Sequence, residues 1–78
     1  MQSAVRDQVM HQYVIHGHGN SIIVQARLAQ QGRCYHTEWE PSPPSWRLTY
    51  DTRLSQTELA ELLKDMTVRY DLRIEEIL

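Results

Sequence analysis

His16-Gly17-His18 and Cys34-Tyr35-His36 are the two places in this 78-residue chain where side-chain type and spacing invite chemistry. Each holds two potential ligands one residue apart, and on a strand such pairs project from the same face. Together they offer the nitrogen and sulfur donors that a zinc ion takes at about 2.0–2.3 Å. Alternatively, Cys34 and a nearby imidazole would make a thiolate nucleophile with its base. Both chemistries require separate segments to meet at one point, so the elements that carry these residues decide between them.

Alternation with period two predicts four strands. Val9, His11, Tyr13 and Ile15 share a face of the first, and Ile22, Val24, Ala26 and Leu28 a face of the second. Tyr35, Thr37 and Trp39 mark the third, with Cys34, His36 and Glu38 on its reverse. Trp46, Leu48 and Tyr50 mark the fourth, with Arg47, Thr49 and Asp51 behind. Between them lie the turn-forming segments His16-Gly17-His18-Gly19-Asn20, Gln30-Gln31-Gly32 and Glu40-Pro41-Ser42-Pro43-Pro44-Ser45. Connections this short favour hairpins. Pairing Ile15 with Ile22, Leu28 with Tyr35 and Trp39 with Trp46 gathers the apolar faces on one side, including a row of Tyr13, Val24, Trp39 and Trp46.

Ser55-Gln56-Thr57-Glu58 has the form of a capping box, in which hydroxyl and carboxylate serve free amides at a helix start. Leu59, Leu62, Leu63, Met66 and Tyr70 then follow as one helical stripe. The expected fold class is α+β: an antiparallel four-stranded β-meander with one C-terminal helix packed on one face, in the order ββββα. Residues 1–78 form a single small domain. Residues 1–8 are loose or a short helix, and 72–78 are a short terminal helix or an edge strand.

In this frame His36 lies about 20 Å along the sheet from His16, given about 3.3 Å per residue, too far for a shared ion. No metal site is expected. Cys34 and His36 fall on an outer face that offers no pocket, so no catalysis is expected either. Gly17 and Gly19 lack the P-loop spacing and its Lys, and no other cofactor motif is present. The expectation is a protein without cofactor.

Composition narrows the rest. Hydrophobic residues are 41% of the chain and charged residues 23%, as in ordinary globular domains. The net charge of -2 excludes a strongly basic nucleic-acid binder, and a single cysteine excludes an internal disulfide. Apolar runs of three residues are too short for a membrane span or a signal peptide, so no membrane partner and a cytoplasmic setting are expected. A core this small, without Phe or a staple, gains from added buried surface, as in a homodimer. The spacing Pro41-Ser42-Pro43-Pro44 matches a proline-groove ligand, but reads better as a stiff connector between strands.

What remains is binding. Val14 and Ile23 should be neighbours on the outer sheet face, with Arg27, His36 and Arg47 around them. Those five residues are the candidate contact surface. The expected function is a small, non-catalytic protein-binding or regulatory module acting through the outer sheet face or an edge strand. Its partner is another protein or a second copy of itself. The alternative is a nucleic-acid-binding module using Arg27, Arg33 and Arg47. Against it, Glu38, Glu40 and Asp51 share that surface, with Glu38 facing Arg47, and stacking aromatics are missing if Tyr35 and Trp39 point inward.

Overall fold

The structure is a computed structural model that describes residues 9–41 and 44–77. Residues 1–8, expected to be loose or helical, lie outside the described residues, as do Ser42, Pro43 and Leu78. Four strands form one antiparallel sheet: β1 (His11–His18), β2 (Gly32–Pro41), β3 (Pro44–Thr52) and β4 (Arg73–Ile77). Three helices connect them: α1 (Ser21–Leu28), α2 (Gln56–Leu62) and α3 (Lys64–Tyr70). Strand order is β2-β3-β1-β4. The architecture is α+β, but it is not a ββββα meander and its helices are not a single C-terminal one. The succession of elements is the split βαβ, or ferredoxin-like, arrangement.

The expected second strand is the element that overturns the meander. Ile22-Ile23-Val24 favours a strand by propensity, and Ile22, Val24, Ala26 and Leu28 alternate. Yet Val24 and Leu28 are also four apart, and these two are buried as one helical face. The helix start is written just upstream. Gly19 turns the chain at a φ of 84°, and the Asn20 side chain accepts a hydrogen bond from the Ile22 amide at 2.9 Å. Gln25 then bonds Ser21 across one turn at 2.9 Å. Capping and burial together outweigh the β-branched propensity. With α1 crossing over, β3 rather than residues 21–28 lies beside β1.

Two pairings expected from sequence are present: Trp39 lies opposite Trp46 and Glu38 opposite Arg47. The row of Tyr13 with Trp39 and Trp46 is not, because Tyr13 pairs with Tyr50 while Trp46 pairs with Gly17. Gly17 is required there, since a Cβ would overlap the Trp46 ring.

The capping box at Ser55 and Glu58 forms with both reciprocal bonds. The helix it opens breaks at Leu63 into α2 and α3, yet the stripe survives, with Leu59, Leu63 and Met66 buried. α3 ends in a Schellman turn: Asp71 adopts φ 50°, and the Leu72 amide reaches back to the Thr67 carbonyl at 2.9 Å. That turn sends the chain into β4, so 73–77 is the edge strand of the two options.

One core joins Tyr13, Ile15, Trp46, Leu48 and Tyr50 from the sheet to Val24, Leu28, Leu59, Leu63 and Met66 from the helices. Its aromatic polar atoms are satisfied by backbone carbonyls. Tyr13 donates to the Leu54 carbonyl at 2.8 Å, Tyr50 to Leu28 at 2.6 Å, and the Trp46 indole to Gly19 at 3.0 Å. All three helices therefore pack on one face of the sheet. Among the described residues, nothing covers the other.

Candidate functional site: the open face of the sheet

Residues that are Cα partners in an antiparallel sheet point to the same side. The open face can thus be read as rows across β2, β3, β1 and β4. One row is His36, Thr49, Val14 and Glu75; the next is Glu38, Arg47, His16 and Arg73. Beside the second row lies a shallow cavity of about 320 Å³, lined by both arginines, His16, His18, Glu38 and Glu40.

Ionic contacts knit this surface together. Arg47 donates to Glu38, whose carboxyl is held below the usual range by that bond and by the adjacent guanidinium charge. His16 Nε2 lies 3.0 Å from Glu75, and this hydrogen bond, with the neighbouring imidazole charge, depresses the Glu75 carboxyl likewise. All four histidines face a carboxylate. His18 lies 3.4 Å from Asp71 without the alignment of a hydrogen bond and His36 lies 3.5 Å from Glu38, while on the helix-covered side of the sheet His11 meets Glu76 at 2.8 Å. Arg73 has no ion-pair partner among the described residues.

Of the five expected contact residues, the fold brings three together. Val14 and His36 share a row and Arg47 lies in the next. Ile23 and Arg27 are elsewhere, on α1 in the helical layer. Ile23 is half exposed there. Arg27 makes a two-pronged contact with Asp65 at 2.8 and 3.1 Å, and also donates to the Leu62 carbonyl at 2.9 Å. It fastens α1 to the C-terminal helices. Arg73 and Glu75 take their places on the open face. With 73–77 as the edge strand, the alternation of β4 puts both there, and the undecided tail conceals them in the sequence.

A β-bulge rearranges the third group. Register shifts between Cys34 and His36, so Cys34 lies opposite Tyr50 on the core side and His36 opposite Thr49 on the open side. The expected placement of Cys34 and His36 on one face is corrected accordingly. Burial pushes the Cys34 thiol above its ordinary pKa, which disfavours a thiolate. The bulge also turns Tyr35 outward, where Gln12 donates to its hydroxyl and to Asp51. Among the described residues no three His, Cys, Asp or Glu side chains converge as a metal ion would require.

No known protein family matches this chain, and no curated protein is similar to it in sequence. No helix among the described residues is long and apolar enough to cross a membrane.

Proposed function

We propose that the protein is a non-catalytic binding module that contacts a protein partner through the open sheet face. The observation that carries this reading is the one-sided packing of α1, α2 and α3. It leaves Val14, His36 and Arg47, joined by Arg73 and Glu75, uncovered among the described residues. The surface has the mixed character of a protein contact. An apolar centre at Val14 is ringed by both signs of charge, and flat, charged surfaces favour specificity and orientation over enclosure of a small molecule. The separation of Cys34 from His36 and the raised thiol pKa support the absence of cysteine catalysis. A regulatory role in the cytoplasm belongs to the same reading.

The test is affinity capture from the native host with wild type, Val14→Asp, Arg47→Glu and the control Val68→Asp on the far layer. A partner held by wild type and the control, and lost by both open-face variants, supports the reading. Equal retention by all four overturns it.

One observation favours the nucleic-acid reading. The bulge sets Tyr35 on the open face with Arg33, Arg47 and Arg73, supplying an aromatic platform among cations. Glu38, Glu40, Asp51 and Glu75 on that same face offset these charges. Gel shifts at several salt concentrations separate the two readings, because phosphate contacts weaken steeply as salt rises.

A further inference from the structure

β2 ends the sheet, and most of its length is exposed. On its core side the helical layer stops short. Ile22, Gln25 and Ala26 of α1, Ala29 just past its end, and Arg33 and Cys34 of β2 line an open, mainly apolar trough of about 490 Å³. Ile22 is 71% exposed, and Trp39, on the same side of β2, is 54% exposed although its cross-strand partner Trp46 is buried. An unpaired strand edge beside an apolar trough lacks both hydrogen-bond partners and cover.

We infer that this edge is a homodimer seam, in which β2 of one copy pairs antiparallel with β2 of a second and the two α1 helices flank the joined edge on its core side. The occupant is a second copy because the edge complements itself. A two-fold axis at Thr37 sets His36 of each copy opposite Glu38 of the other, so an imidazole–carboxylate pair forms twice across the seam. The axis stands perpendicular to the sheet, so both core sides stay on one side. Ile22 and Ala26 of α1 then flank the seam on its core side, and Cys34, three residues from the axis, lies across from Glu40 of the other copy. The small side chains Ala26 and Ala29 leave room for two helices to approach. A net charge of -2 per chain offers little repulsion, and one continuous sheet enlarges a core limited by the shortness of the chain. This inference is distinct from the open-face reading, although the His36–Glu38 pairs of the seam lie at the β2 margin of that face.

Light scattering over a wide concentration range tests it, alongside Ile22→Glu, Trp39→Glu and the control Val68→Glu. Val68 is 92% exposed on α3. Wild type and Val68→Glu are expected at twice the 9.2 kDa chain mass at high concentration, and the two seam variants at the single mass. A wild type that stays at the single mass into the high micromolar range overturns the inference, as does a dimer that persists in both seam variants. Alkylation of wild-type Cys34 gives a second measurement that requires no variant to fold. Its rate should fall several-fold as concentration rises through the dimerisation range, and a rate independent of concentration overturns the seam.

Discussion

β4, at one margin of the sheet, is five residues long, carries Arg73, Glu75 and Glu76, and has the Ile74 carbonyl taken by the Gln56 side-chain amide at 3.2 Å. β2, at the other margin, runs for ten residues beside an apolar trough. Its interruptions are one bulge near its start, the charged Arg33, Glu38 and Glu40, and the closing Pro41. Natural sheets blunt their margins with short strands, charge and covering side chains. β4 has all three. The difference teaches that a free margin is not an unavoidable product of this fold. The chain protects one end of its sheet and leaves the other available, and the same contrast separates a structural end from an interactive one.

The largest expected effect breaks the β4 side from within. Gly17→Ala puts a methyl into the Trp46 ring and against Leu72, the residue that leads into β4. Overpacking of this kind should cost about 3 kcal/mol, read as a lower denaturant midpoint at unchanged slope. On the β2 side, Tyr50→Phe removes the shorter of the two bonds to the Leu28 carbonyl, leaving only the Gln31 amide at 3.1 Å, and loosens the end of α1. A loss of about 1–2 kcal/mol is expected in the same measurement. Asp71→Gly should act the other way. It relieves a left-handed residue at the entrance to β4 and raises stability by up to about 1 kcal/mol, seen as a higher melting temperature.

Two smaller effects sharpen the contrast. The Glu75 carboxyl is depressed in the folded chain by its hydrogen bond to His16 and by the imidazole charge. It therefore stabilises the fold above the ordinary carboxylate range, and this contribution disappears as pH falls through the lowered value. The stability gap between wild type and Glu75→Gln, followed by denaturant titration at several pH values, should close on acidification. A gap that widens at low pH refutes the assignment. The smallest change is Gln56→Ala, which bares the Ile74 carbonyl. Overall stability should move by less than about 0.5 kcal/mol, as for most surface substitutions, while amide exchange in β4 quickens.

Local signals in the sequence reach some of this architecture and miss the rest. The pairing of Trp39 with Trp46 and of Glu38 with Arg47 is legible because a short proline-containing connector leaves the flanking strands little choice of register. The start at Ser55 is legible because a capping box is a local device. Residues 21–28 misread because both periods fit them, and a β-branched triplet masks the Asn20 cap. That error has consequences for the candidate site, since it alone puts Ile23 and Arg27 on the sheet. Arg73 and Glu75 were hidden by a partner distant in sequence, as β4 has no ladder until β1 accepts it. The bulge that divides Cys34 from His36 has no simple sequence signature, because one added residue in a strand changes which face every later side chain occupies.

The span of the two outer ladders bears on how the molecule assembles and opens. Glu38 and Arg47 are nine positions apart, whereas His11 and Glu76 are separated by 65. Closing the longer loop costs more chain entropy and is repaid only when β1 is already in place. The β2–β3 hairpin should accordingly zip early, and β4 should dock late. In reverse, detachment of β4 is the natural first excursion of the native state, one that would uncover the flank of β1 while leaving the hairpin shut.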